Sequence, residues 1–226
     1  MKTSWGAGNH LVVATTNRSK LEEFRALLAD LGVVIHAVDD VLEPRPNIIE
    51  DGATFRDNAI IKARAVAAAT TMLTLADDSG LEVDLLDGKP GVRSARFAHE
   101  RATDAENNAA LLAALDALGD PAHGSGGKTV ARFRCSLALV DPFLDDGAPM
   151  VVDGTCEGSI TRTPRGSGGF GYDPLFVVED GDKTIAELTD DEKNRVSHRA
   201  RAVVALRPIL ERVLAARAEA VARIAR

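Results

Sequence analysis

Short apolar runs alternate with helically spaced ones along most of this chain, and that alternation limits the folds open to it. Leu11-Val12-Val13-Ala14 reads as a buried strand. Leu21, Phe24, Leu28 and Leu31 recur at helical spacing, Gly32 is a C-terminal stop, and Val33 to Val38 is a second strand. Thr54 is an N-cap for an alanine-rich helix running to about Thr70, and Met72 to Ala76 is a third strand. Thr103 and Glu106 form a capping box for a helix with Leu111, Leu112, Leu115 and Leu118 inward. Ala131 to Leu139 alternates as a half-wet strand, and Pro149 to Ile160 returns as its hairpin partner. Leu175 to Val178 is another strand, and Thr189 and Glu192 form a second capping box. Ser197 caps a C-terminal helix that Pro208 should kink or break. The pattern predicts one α/β unit around a mixed sheet. Met1 to Asn9 reads as a loose leader and Gly119 to Gly127 as a flexible loop.

The chemistry gathers where strands end. The third strand runs into Asp77-Asp78-Ser79-Gly80. Adjacent carboxylates repel unless a cation or proton lies between them, and hard oxygens on a strand end suit Mg²⁺. The same four residues favour turns, so a solvated turn accounts for them as well. Thr15-Thr16-Asn17-Arg18-Ser19-Lys20 joins a strand to a helix N-terminus, which either needs only a cap or offers its N–H groups to a phosphate. Asn58 and Lys62 lie four apart on one helix face, and Glu50 stands just ahead of that helix. A third carboxylate and a lysine near Asp77 and Asp78 would complete a phosphate-bound metal site, whereas each alone is an ordinary surface residue.

Gly166 to Asp173 holds four glycines, which lets backbone approach a ligand closely. Phe170 and Tyr172 offer faces for stacking on a base, and Asp173 can accept from ring N–H groups. The chain has only nine aromatic residues, seven Phe, one Trp and one Tyr, so two in this loop favour a binding role over a bare hairpin tip. Ser197-His198-Arg199 opens the last helix, where Ser197 is a cap and the other two are either solvated or grip a polar base edge. Gly124-Ser125-Gly126-Gly127-Lys128-Thr129 mimics the tail of a phosphate-binding loop. Ala122 stands where that pattern needs glycine, and helix precedes and strand follows, the reverse of the required order.

Composition removes other classes. The formal net charge is −7 over 226 residues, so nothing holds nucleic-acid polymers or a membrane surface nonspecifically. Cys135 and Cys156 have no metal or redox spacing and imply no disulfide framework, which fits a reducing cytoplasm. Leu11 to Ala14 is too short for a secretory h-region, and no run approaches the roughly 20 apolar residues of a membrane helix.

Taken together and in order, six stretches resemble the inosine triphosphate pyrophosphatase family. They are Thr15 to Lys20; Glu50-Asp51-Gly52-Ala53-Thr54-Phe55 through Asn58 and Lys62-Ala63; Ala76 to Leu81; Pro90-Gly91-Val92-Arg93-Ser94-Ala95-Arg96; Gly168 to Pro174; and Ser197-His198-Arg199. The resemblance implies an elongated single α/β unit over 1–226, with a long central mixed β-sheet flanked by helices and two lobes around a cleft. It implies a cytoplasmic homodimer whose partner is a small nucleotide. The activity implied is Mg²⁺-dependent hydrolysis of ITP, dITP and XTP to the monophosphate and pyrophosphate.

By motif position Asp78 is the implied general base and, with Glu50, a metal ligand, while Asp77 supports. Lys20 and Lys62 are implied phosphate contacts, with Thr15, Thr16, Asn17, Arg18 and Ser19 around the same turn and Ser79 beside Asp78. Phe170, Gly171, Tyr172, Asp173, Lys193, His198 and Arg199 are the implied base pocket. The family often has glycine where this chain has Thr16. A related enzyme for modified pyrimidine nucleotides and a non-catalytic nucleotide sensor are the competing readings. Retention of Asp78 and Lys62 argues against the sensor.

Overall fold

The first strand, β1 (His10–Val13), carries only buried residues after its first. Successive side chains on a strand point to opposite faces, so a strand buried at consecutive positions must be covered on both sides. The computed structural model describes residues 9–44, 46–119, 128–179 and 181–224, and it provides that cover. The expected leader and the 119–127 loop lie almost wholly outside those residues.

A mixed six-stranded sheet runs in the order β2-β1-β3-β4-β5-β6. Its strands are β1, β2 (Val34–Ala37), β3 (Thr74–Val83), β4 (Thr129–Val140), β5 (Met150–Ile160) and β6 (Phe176–Val178). β1 is parallel to β2, with His10 opposite Val34, and parallel to β3, with Val12 opposite Thr74. β5 and β6 are antiparallel. The helices are α1 (Arg18–Leu27), α2 (Val38–Val41), α3 (Phe55–Thr70), α4 (Asp104–Ala117), α5 (Asp190–Val196) and α6 (His198–Ile224).

By its internal contacts the chain divides into two units. The first takes residues to Asp77, Ser136–Asp153 and the chain from Ala202; the second takes Asp78–Cys135 and Gly154–Arg201. In the first, Val12, Ala14, Ala76, Ala138 and Val140 from the strands pack on Ala59, Ala63, Val66 and Ala67 of α3. Alanine at the contact lets the helix backbone sit close to the sheet, and a larger side chain there would overpack it. In the second, Leu81, Val83, Phe133, Cys156 and Ile160 pack on Leu111 and Leu115 of α4 and on Tyr172, Leu175 and Phe176.

Three expectations change. β3 does not stop before the acidic pair: Asp77-Asp78-Ser79-Gly80 lies inside a ten-residue strand, so the pair is held on extended backbone and is not a turn. Leu118 is exposed, not inward, because α4 ends at Ala117 and leaves it on the following turn. Pro208 does not end α6, which runs unbroken through it. Val204, four residues earlier, is 70% exposed, so the carbonyl that loses its helical donor lies on a face open to solvent.

Candidate active site

In the first unit the turn after β1 is built from its own side chains. Thr15 Oγ1 accepts the Asn17 N–H at 3.1 Å. Asn17 is the N-cap of α1, its Oδ1 accepting the Lys20 N–H at 3.1 Å. Thr16, Arg18 and Ser19 are exposed. A cavity of about 280 Å³ opens here, lined by Thr15 to Arg18 and, from the end of β2 and α2, by Ala37, Asp39 and Asp40. The cap sets Lys20 in the first helical turn, where its Nζ reaches Asp77 Oδ1 at 3.0 Å. The Asp77 carboxylate is buried, so the ammonium offsets much of its desolvation.

A second pair is set by α3. Thr54 and Asp57 form the capping box that starts it. Asn58 Oδ1 then accepts the Gly52 N–H at 2.8 Å, and one turn on Lys62 Nζ meets Glu50 Oε2 at 2.8 Å. The face carrying Asn58 and Lys62 thus grips the incoming segment at two points. Only glycine fits at 52, because a Cβ would lie 2.6 Å from Asp57 Cβ and 2.7 Å from Asn58 Oδ1.

Among the described residues no three or more His, Cys, Asp or Glu side chains assemble into a metal cage. Glu50, Asp77 and Asp78 offer hard carboxylate oxygens of the kind that suits Mg²⁺, which is held by one or two carboxylates and completes its shell with water and substrate phosphates.

In the second unit β3 continues through the half-buried Asp78 and Ser79. Arg199, fully buried at the head of α6, donates from Nη2 to Ser79 Oγ at 3.1 Å. Asp173 Oδ2 accepts the Phe170 N–H at 3.0 Å and an ion pair from Lys193 Nζ at 2.8 Å. Gly169 has φ +72°, and any Cβ there would run into the Asp173 carboxylate. The half-buried Phe170 ring has Lys193 Nζ at 4.9 Å and the Arg199 guanidinium at 5.8 Å from its centroid. His198 is buried and stacks on Phe133 at 4.8 Å. This unit therefore brings Phe170, Asp173, Lys193 and Arg199 together around one aromatic face.

Tyr172 departs from its expected place. It is packed in the core, and its hydroxyl donates to the Ser94 carbonyl at 2.9 Å. Burial pushes the Tyr172 hydroxyl well above its ordinary ionisation range, and the negative charge of Asp104 adds to the shift. The ring that remains for stacking is Phe170. Sequence reasoning gave no role to Ser94, Asp104, Asn107 or Asn108, whose side chains hold this region. The available signal was the i, i+4 spacing of Asp104 and Asn108 behind a capping box.

The sheet order and these side-chain sets define an α/β protein with one lysine–carboxylate pair at the start of α1, another on α3, and a cation-flanked aromatic on a glycine-rich loop. The Ham1 family model matches residues 11–209, and the chain belongs to that family. It is 46% identical over 197 residues to a dITP/XTP pyrophosphatase of Geobacillus kaustophilus, covering 87% of this chain and 91% of that one. It is 44% identical over 200 residues to a dITP/XTP pyrophosphatase of Bacillus subtilis, covering 88% and 96%. Among solved structures it is similar to a HAM1 protein from Coxiella burnetii, with 43% identity, a TM-score of 0.78, and coverage of 89% of this chain and 98% of that one.

Proposed function

We propose that this chain hydrolyses the triphosphates of non-standard purine nucleosides, dITP, ITP and XTP, to the monophosphate and pyrophosphate with Mg²⁺. The relatives' activity on dITP and XTP supports the reaction class, at 44–46% identity over about nine-tenths of this chain. The observation that carries the site is the pair of contacts Lys20–Asp77 and Lys62–Glu50. Each sets an ammonium, suited to phosphate, against a carboxylate suited to a hard cation.

Glu50 and Asp78 would hold the ion, with Asp77 supporting. When bound, Mg²⁺ would supply charge neutralisation at the phosphate oxygens. Lys20 and Lys62 bind phosphate oxygens and orient the chain of phosphates, with the Thr15 to Ser19 turn beside them. Asp78 accepts the proton of the attacking water as the bond between the α- and β-phosphates breaks and pyrophosphate leaves.

Phe170 stacks on the base. Lys193, Arg199 and backbone N–H groups donate to its 6-oxo edge. His198 supports them through its packing on Phe133. Adenine would present an amino group to those donors and leave them unpaired in a buried place, which discriminates strongly.

The chain acts as one domain, a reading supported by a family match that runs through both units. Its cytoplasmic location is supported by two buried cysteines, neither of them in a disulfide. No helix among the described residues is long and apolar enough to cross a membrane. The homodimer rests on the family resemblance. The test is the identity of the products from dITP. Pyrophosphate and dIMP that vanish with a chelator are expected. Orthophosphate and dIDP, or equal turnover of modified pyrimidine nucleotides, would contradict the reading.

A further inference from the structure

One face of α4 meets the glycine-rich loop. Asp104 and Asn108 are one helical turn apart and share that face. Asp104 Oδ2 accepts the Gly171 N–H at 2.7 Å, and Asn108 Nδ2 donates to the Gly171 carbonyl at 3.0 Å. Both backbone polar groups of one residue are thus held by one helix. Gly171 lies next to Phe170 and has φ +61°, with open space where a Cβ would be. Its requirement is therefore conformational, and the two hydrogen bonds are what fix it.

The helix that does the holding is itself fixed. Thr103 and Glu106 cap it, and Asn107 donates to the Ala95 carbonyl at 3.1 Å and accepts the Ala98 N–H at 3.0 Å. In the turn Gly91–Arg96, Ser94 Oγ accepts the Leu81 N–H at 2.9 Å, and the Ser94 carbonyl accepts the Tyr172 hydroxyl. The loop is thereby referenced to β3 only three residues beyond Asp78. Asn108 Oδ1 is buried with no hydrogen-bond partner among the described residues. Such an atom costs stability, so Asn108 is better suited to its contact with Gly171 than to stability.

We infer that Asp104 and Asn108 are positioning residues for base recognition: they set Gly171, and through it the Phe170 ring and the Asp173–Lys193 pair. The inference rests on the proposed function and adds two residues to it. Both act on the base and neither acts on the phosphates.

The experiment is steady-state kinetics with dITP, alongside inhibition by inorganic triphosphate, which has no base. Asp104→Ala should raise KM for dITP by roughly tenfold, the weight of one charge-assisted hydrogen bond, with kcat and the inhibition constant unchanged. Asp104→Asn removes the charge at the helix start but keeps the acceptor, so it should recover most of the loss. A helix-dipole effect would leave both variants equally impaired and would overturn the inference. Asn108→Asp is the same size but faces the Gly171 carbonyl with an acceptor, and should raise KM as much as Asn108→Ala. Unchanged KM in Asp104→Ala and Asn108→Asp would overturn the clamp while leaving the functional reading standing, as would equal weakening of dITP and triphosphate. No hydrolysis of dITP by the unaltered chain would overturn the functional reading beneath it.

Discussion

The Lys193–Asp173 pair separates what holds the fold from what reads the base. The two side chains are 8% and 5% exposed and 2.8 Å apart. Lys193→Met keeps the apolar stem and removes the ammonium, leaving the Asp173 carboxylate with the Phe170 N–H and without that counter-charge. Breaking a buried pair from one side costs about 3–5 kcal/mol, a large share of the roughly 5–15 kcal/mol that keeps a domain folded. With a urea dependence of about 2 kcal/mol per molar, the midpoint should fall by about 2 M. The double variant Lys193→Met/Asp173→Asn removes both charges and should regain most of that loss, since a neutral pair of similar volume avoids the desolvation. It should not regain dITP turnover, because the donor is still missing. Urea unfolding by circular dichroism and dITP kinetics on all three proteins decide the matter. A single variant that loses less than about 1 kcal/mol, or a double variant no more stable than the single, would refute the reasoning.

Other expectations follow from the same geometry. Asp78→Asn should lower kcat for dITP by roughly 10²–10⁴-fold with KM little changed, the range for loss of a general base; near-normal turnover would remove Asp78 from that role. Lys62→Met should weaken both dITP and inorganic triphosphate. It should also shift stability by less than about 1 kcal/mol, because Glu50 is partly hydrated; unchanged triphosphate affinity would contradict the phosphate role. Tyr172 is the only tyrosine, so its phenolate absorbance needs no assignment. Its pKa is raised on folding, so the stability it contributes is intact below the unfolded value of about 10 and is lost as pH rises from there. Phenolate should therefore appear only together with loss of circular dichroism. A midpoint near 10 in the folded protein would place Tyr172 at the surface.

The fold was legible where periodicity is a local property. Leu11 to Ala14, the Thr54 and Thr103 caps, and the alternation of Ala131 to Leu139 all form the elements their patterns predict. The turn alternative for Asp77 to Gly80 fails because turn propensity is weak against the pairing of a strand that lies inside a sheet. Pro208 misled because the cost of a lost helical bond depends on whether water reaches the freed carbonyl, which the sequence does not show. For the site, the spacing of Asn58 and Lys62 announced a shared face, and that face does grip Glu50 and Gly52. Tyr172 looked like Phe170 in sequence, but only the packing around Ser94 separates a core ring from an available one. The i, i+4 spacing of Asp104 and Asn108 shows a shared face, but they bond backbone groups of a residue 63 or more positions away, and no local pattern says which.

The central claim is that the base is read by donors around Phe170. Its most direct measurement is kcat/KM for dITP against dATP with Mg²⁺, made in one competition assay by pyrophosphate release. The account predicts a preference for dITP of roughly a hundredfold or more, the cost of leaving buried donors facing an amino group. Equal values for the two nucleotides would contradict it.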